Sequence, residues 1–216
     1  MSSMFRTTVP ALGLVYLLPA MGEERLPTIH PEQYTEEQKK AAEEFQAARR
    51  LPVFGPFEPL MYSPQFMNQA RAMGDYLRYH ASIGPGLTEF AILVVARQWS
   101  QDYEWYVHYP LALKSGLTAQ QAAAIAAGRV PEGMNEAQAV VYEFLGELKR
   151  THQVSDANFA RAQKQLGKKG VVDLTGLAGY YSLLAMELNV ARYPLPRDGV
   201  PLPALPQRAG PAAPAQ

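Results

Sequence analysis

Apolar residues recur three or four positions apart over most of the chain, which is the spacing of one face of an α-helix. Residues 64–80 show this pattern, and the run "FAILVVA" at 90–96 is apolar throughout, which predicts a helix buried on all sides. Runs of β-branched residues bounded by hairpin turns are missing from the sequence. The pattern therefore predicts an all-α protein.

Capping residues mark the expected ends of the helices. Thr35 and Gln38 have the spacing of a capping box, and Ser63 precedes Pro64, which suits the first position of a helix. Gly116 is typical of the residue that follows a helix. The helices expected from such signals cover about 36–50, 63–80, a start near Thr88, 102–115, 118–128, a start at Asn135, 155–167 and 170–193, with a proline-broken connector at 51–62.

The two ends of the chain differ from this helical part. Residues Val9 to Met21 form a mostly apolar run that is too short to span a bilayer, and it suits either a secretory signal peptide or an arm that packs on a neighbour. From Pro194 the chain is dense in proline, alanine and glycine, which predicts an extended or disordered tail. The expected divisions are an apolar leader or arm at 1–24, a helical extension at 25–54, the main domain at 55–193 and the tail at 194–216.

Composition removes several classes of function. The 216 residues suit one domain, and 20 basic and 20 acidic side chains give a formal charge of zero with no arginine-rich stripe, so we expect no nucleic-acid partner. Cysteine is absent, which removes disulfides, thiolate nucleophiles and cysteine metal sites, and leaves the choice between a cytoplasmic and an exported protein open. The histidines have no metal-ligand spacing, so we expect neither a metal nor another cofactor.

Candidate chemistry lies in the aromatic segment "QWSQDYEWYVH" at 98–108. Glu104 and His108 are one helical turn apart, Gln101 precedes them, and Glu89 stands just before the buried run. If these two helices pack antiparallel, two carboxylates and an imidazole converge in an aromatic pocket, where they could act as a general acid and base. Spacing alone also fits a solvated pair on a helix surface.

Residues 87–128, "LTEFAILVVARQWSQDYEWYVHYPLALKSGLTAQQAAAIAAG", resemble the core of the carboxymuconolactone decarboxylase family, whose fold is that of the alkylhydroperoxidase D-like proteins. The resemblance extends less specifically over about 55–193. It implies an alkylhydroperoxidase D-like helical bundle, to which the sequence pattern adds an N-terminal helical arm and a Pro-rich C-terminal tail. In the peroxidase branch the motif is a glutamate, eleven residues, Cys-x-x-Cys, three residues and a histidine. These positions hold Glu89, Gln101, Glu104 and His108 here.

The missing thiols exclude the family's dithiol peroxidase mechanism for this chain. The decarboxylase branch is similar in lacking the cysteine pair, so the resemblance implies a cofactor-free lyase that acts on a small carboxylated lactone or related acid. His108 is then the candidate acid and base, and Glu104 and Glu89 orient it or relay its proton. The candidate substrate-binding residues are Arg97, as a carboxylate anchor, Gln101, Tyr103 and Trp105, while Tyr180 or Tyr181 could line the pocket but is expected chiefly in the core.

Two other function classes remain open at the level of sequence. One is a different acid–base enzyme on this fold, because a fold does not determine a reaction. The other is a non-catalytic, oligomeric binding protein on the same fold. We further expect a small-molecule carboxylate or lactone as the partner and no stable membrane insertion. We also expect a homo-oligomer, because the run from Phe90 to Ala96 and the last helix carry more apolar surface than a small monomer can hide. The resemblance implies a trimer or a multiple of three.

Overall fold

A computed structural model of the protein describes residues 23–205. Within this range the chain forms eight α-helices and one short 3-10 helix, Pro31–Gln33, and contains no strand. The α-helices are α1 (Glu36–Arg49), α2 (Phe57–Leu60), α3 (Pro64–Tyr79), α4 (Gly84–Trp99), α5 (Asp102–Lys114), α6 (Ala119–Ala126), α7 (Glu136–Thr151) and α8 (Asp156–Ala191). The predicted all-α class is confirmed.

Most predicted helix starts agree with the structure. Thr35 forms a full capping box with Gln38 at the start of α1, and capping boxes also open α6 and α7. The helix expected near Thr88 begins earlier, at Gly84, because Pro85 is accommodated in the first turn, where its missing N–H is not needed. Thr88 does not cap this helix, since its hydroxyl donates to the carbonyl oxygen of Gly84 inside it.

One segment is more helical than the sequence pattern predicts, and one predicted boundary between helices agrees with the structure. The proline-broken connector contains the short helix α2, whose Phe57 and Leu60 are buried. The two helices expected at 155–167 and 170–193 follow each other in α8 with a break at Gly167, where φ is 70° and ψ is 170°. Glycine tolerates this positive φ, so the predicted boundary between two helices lies at this residue.

Helix α4 forms the centre of the core. All seven residues from Phe90 to Ala96 are buried, as the apolar run predicts, and the helix packs against α5, α7 and α8. Helix α1 lies at the side of this core against α3, and its Phe45 is fully buried. The N-terminal helical extension is thus packed into the bundle.

A buried carboxylate connects the turn before α4 with α8. Asp173 accepts hydrogen bonds from the backbone N–H and the hydroxyl of Ser82, both at 2.7 Å, and from the Lys169 ammonium at 2.8 Å. The Tyr76 hydroxyl approaches the same carboxylate at 3.2 Å. These bonds fix the start of α4 relative to α8, and hence the position of Glu89 along the helix bundle.

Residues 194–205 contain no helix or strand, as expected of an extended tail, and they lie on α4 and α5. The Tyr106 hydroxyl bonds to Asp198 at 3.1 Å, and the Leu202 backbone N–H donates to Asp102 at 2.8 Å. The expected leader at 1–24 and the rest of the tail fall almost entirely outside the described residues. No helix within 23–205 is long and apolar enough to cross a membrane.

Candidate active site

Helices α4 and α5 form an antiparallel hairpin that carries the predicted acid–base residues. The turn contains Ser100, with φ of 50°, and Gln101. The Gln101 side-chain oxygen accepts from the backbone N–H groups of Tyr103 at 2.6 Å and Glu104 at 3.3 Å. At the open end of the hairpin, Gly86 lies close to the carbonyl oxygen of Ser115. Residues of the first half of α4 therefore face residues in the middle of α5.

This hairpin brings Glu89, His108 and Glu104 together. His108 Nδ1 lies 2.6 Å from Glu89 Oε2, and His108 Nε2 lies 3.4 Å from Glu104 Oε2. All three side chains are buried, at 10% exposure or less. From α3, the Arg78 guanidinium reaches Glu89 Oε1 at 3.5 Å. The four groups form a continuous chain of contacts, from Arg78 through Glu89 and His108 to Glu104.

Burial determines the protonation of the two groups on α5. Burial lowers the pKa of His108, and the hydrogen bond and charge of Glu89 only partly oppose this. Burial also raises the pKa of Glu104 to about 8, against the opposing effect of Arg78. At neutral pH the imidazole and the Glu104 carboxyl are therefore both predominantly uncharged. With Nδ1–H donating to the Glu89 carboxylate, the free lone pair of the imidazole is on Nε2, next to Glu104.

A cavity of about 40 Å³ lies beside these groups. This volume admits at least one water molecule. The Tyr181 ring meets the His108 ring edge-on, with centroids 5.1 Å apart. The lining side chains come from five parts of the fold, namely Arg49, Phe54, Pro56, Phe57, Arg78, Tyr103, Glu104, Val107, His108, Tyr180, Tyr181 and Leu184.

Arg97 has a different place from the predicted one. It is buried and does not line the cavity, and its guanidinium donates to the carbonyl oxygens of Ala126 at 3.0 Å and Pro203 at 2.8 Å and to the Ser100 hydroxyl at 2.7 Å. It is neither a carboxylate anchor in the cavity nor a solvated helix end. Arg97 instead holds the C-terminal segment and the end of α6 against the hairpin.

The other predicted binding residues lie in three different places. Tyr103 lines the cavity, whereas Gln101 caps α5 and donates to the side chain of Asn189 at 3.1 Å. Trp105 lies on another side of α5, nearly parallel to Tyr109 at 6.1 Å, in a cleft of about 760 Å³ between α5, α6 and the C-terminal segment. Only Tyr103 of the proposed substrate-binding set is therefore next to His108.

Sequence reasoning missed Arg78 and the wall formed by the connector. Arg78 lies in the last turn of α3, where an arginine is usually a solvated residue at a helix end, so no local signal marks it. Phe54 and Phe57 lie in a segment that the pattern assigns to a loop. Tyr180 and Tyr181 both line the cavity as well as packing in the core.

No metal or cofactor is assigned to this site. Among residues 23–205 no group of three or more His, Cys, Asp or Glu side chains is arranged to hold a metal ion. A cofactor-free protein remains a prediction.

Comparisons with known proteins agree on the fold and on the segment that carries the site. Residues 64–144 match the model of the carboxymuconolactone decarboxylase family. A solved alkylhydroperoxidase AhpD core, an uncharacterized peroxidase-related protein from Ralstonia eutropha JMP134, superposes with a TM-score of 0.63 and 15% identity, covering 77% of this chain and 89% of that one.

A second structure, an uncharacterized peroxidase-related protein from Silicibacter sp. TM1040, superposes with a TM-score of 0.61 and 15% identity, covering 77% of this chain and 87% of that one. No curated protein matches the sequence. At this identity the structural similarity establishes the fold alone. The chain thus has an AhpD-like helical fold, and the segment that carries Glu89, Glu104 and His108 matches the carboxymuconolactone decarboxylase family.

Proposed function

We propose that the protein is a cofactor-free acid–base enzyme of the decarboxylase type, acting on a small carboxylated lactone or a related acid. The observation that carries the proposal is the buried contact of 2.6 Å between Glu89 Oε2 and His108 Nδ1, which leaves the basic nitrogen of a neutral imidazole beside a cavity. The family match of this segment supports the same class of reaction.

In the proposed reaction the carbon–carbon bond to a substrate carboxylate breaks and carbon dioxide leaves. The electron pair of that bond passes into the unsaturated lactone, and one proton is then added at carbon. Nε2 carries no proton at rest, so Glu104, 3.4 Å away, first protonates it. His108 Nε2 then delivers this proton to the carbon, because burial favours the uncharged imidazole, and water restores the proton of Glu104.

The test is an assay of carbon dioxide release from a carboxymuconolactone by the wild-type protein and by His108→Gln. Glutamine roughly matches the size and hydrogen-bonding reach of histidine, so we expect a folded variant. Its rate should be about 10²–10⁴-fold lower, the usual contribution of a general acid or base. A His108→Gln protein with the wild-type melting temperature and the wild-type rate would contradict the role of His108.

The alternative is a non-catalytic binding protein on the same fold. It is favoured by the size of the cavity, because about 40 Å³ holds water but not a whole lactone unless the wall around it moves. On this alternative a ligand binds outside the cavity, the wild-type protein and His108→Gln bind it equally, and neither releases carbon dioxide.

We also propose that the chain forms a homo-oligomer, a trimer or a multiple of three. The apolar run from Phe90 to Ala96 is covered within the chain and offers no surface to a partner. The outer face of α8 does offer one, since its exposed positions between 171 and 191 carry no charge and comprise Val172, Thr175, Gly179, Met186, Asn189 and Val190. Uncharged exposed faces of this kind are typical of protein interfaces.

A further inference from the structure

Two arginines, Arg49 and Arg78, line the cavity beside His108, and they differ in how many of their N–H donors are hydrogen-bonded within the protein. Arg49 is held by the Asp75 carboxylate, at 2.9 Å from Nε and 2.8 Å from Nη2, and it lies over the Phe57 ring at 4.6 Å. The Nε and Nη2 donors of Arg49 are therefore already paired with Asp75.

Arg78 has donors to spare. Its side chain is 19% exposed, and its one hydrogen bond to another described residue is the long contact of 3.5 Å with Glu89 Oε1. A guanidinium carries five N–H donors in a planar fork, and a single long contact uses only one of them. Arg78 lines the same cavity as Glu104 and His108.

Glu104 adds an independent observation. The residue is 2% exposed, and its Oε1 has no hydrogen-bond partner among the described residues, although the side chain lines the cavity. A buried polar atom without a partner is costly, and a ligand in the cavity would supply the missing bond. The cationic fork and the unpartnered oxygen thus border one space.

We propose that Arg78 binds the carboxylate of the substrate, with Glu104 Oε1 as the second contact, and that this pair makes the site select carboxylates over uncharged lactones and esters. The inference rests on the proposed function in so far as it takes the cavity beside His108 as the place where the substrate binds. Arg78 thereby takes the role that the sequence suggested for Arg97, whose donors are bound to carbonyl oxygens elsewhere.

Chemistry and size both suit a carboxylate at this position. A carboxylate accepts two parallel N–H bonds from a guanidinium fork. In its uncharged form, which burial favours at neutral pH, Glu104 donates an O–H to an anion instead of repelling it. The cavity of about 40 Å³ has room for a carboxylate group, whereas the lactone ring requires the wall at Phe57 and Tyr103 to move.

The experiment measures binding of 5-oxotetrahydrofuran-2-carboxylate, its methyl ester and γ-butyrolactone by NMR titration at pH 7. The proteins are the wild type, Arg78→Gln, Arg78→Lys and the control Arg71→Gln, which removes a charge from the same helix at a residue that bonds Asp75 and does not line the cavity. Melting temperatures identify any variant that is not folded.

We expect the wild type and Arg71→Gln to bind the carboxylate with the same Kd and to bind both uncharged compounds more weakly. Arg78→Gln should bind the carboxylate about 10-fold more weakly or worse, as expected for loss of a charged hydrogen bond. Arg78→Lys keeps the charge but loses the fork, so its Kd should lie between these values.

The proposal is overturned if the wild type fails to bind the carboxylate, or if it binds the methyl ester equally well. It is also overturned if Arg78→Gln is folded and keeps the wild-type Kd. If Arg78→Gln does not fold, a wild-type Kd for Arg78→Lys overturns it. Binding is read without turnover, so a failed decarboxylase assay would count against the proposed reaction and leave this result standing.

Discussion

At the scale of single residues, the distinctive feature is a carboxyl group kept uncharged next to an imidazole that is also kept uncharged. Glu104 and His108 lie on one face of α5, and burial moves their pKa values in opposite directions, up for the acid and down for the base. Near neutral pH Glu104 therefore has a proton to give and His108 has a free lone pair to accept it.

The buried Glu104 also affects stability. Its pKa rises from 4.5 to about 8 on folding, so the folded state holds a proton that the unfolded state has released, and stability falls as the pH rises between these values. Glu104→Gln removes this dependence. We expect its melting temperature to match the wild type near pH 4.5 and to exceed it increasingly up to pH 8, by about 2–4 °C per kcal/mol.

The control for this experiment is Glu132→Gln, which changes an exposed glutamate in the loop before α7. Its melting temperature should follow that of the wild type at every pH. A Glu104→Gln curve that runs parallel to the wild type from pH 4.5 to 8 would show that Glu104 ionises in the folded protein as it does in the unfolded chain.

At the scale of elements, the helical hairpin α4–α5 is the part that sequence predicts best. The capping signals, the buried run and the four-residue spacing from Glu104 to His108 are local properties, and local properties determine a helix and its faces. The prediction that Trp105 lies in the pocket with Glu104 is wrong for a reason that helix geometry also gives. Adjacent residues of a helix point about 100° apart around its axis, so Trp105 faces a different side of α5 from Glu104.

The long-range contacts were not predictable in the same way. Arg97 is two turns from Glu89 along α4, but its partners are carbonyl oxygens at the end of α6 and in the C-terminal segment. Arg78 reaches Glu89 from α3, and nothing in the sequence around Arg78 indicates which helix will lie opposite. Contacts between elements depend on how the helices pack, and helical periodicity does not contain that information.

The turn before α4 gives a prediction at this scale. Asp173 is 4% exposed and accepts several hydrogen bonds, which lower its pKa from 3.8 to about 2 despite burial. Because the folded pKa is depressed, this stability is present above pH 4 and is lost as the pH falls towards 2. Asp173→Asn should lower the free energy of unfolding by about 2 kcal/mol, measured by urea denaturation at pH 7.

The matched comparison is Lys169→Gln, which removes the partner of Asp173 that is 61% exposed. An exposed cation of this kind should contribute less than about 1 kcal/mol. If the two variants lose equal free energy of unfolding, Asp173 contributes only through its ion pair with Lys169 and does not hold the turn before α4.

At the scale of the whole molecule, the outer face of α8 is the surface expected to meet another copy of the chain. Val172→Glu places a charge on this face, at a side chain that is 70% exposed in the single chain. Burying an unpaired charge in an interface is costly. We expect the mass from light scattering at micromolar concentration to fall towards that of the monomer, with helicity by circular dichroism unchanged.

Val130→Glu is the control, since Val130 is 66% exposed and lies in the loop between α6 and α7. It should keep the wild-type mass. A monomeric wild-type protein would refute the oligomer. A Val172→Glu variant with the wild-type mass would show that the interface does not include this face of α8.

The contacts of the C-terminal segment have a consequence for the order in which the protein folds during synthesis. The hairpin α4–α5 is made of near neighbours in sequence, whereas Leu202 bonds to Asp102 across 100 residues and Tyr181 reaches His108 from α8. Contacts between distant residues form late, and those from the C-terminus must wait until it leaves the ribosome. In the nascent chain Glu89 and His108 therefore meet in water, and the pKa of His108 is lowered only when the last helix closes over it.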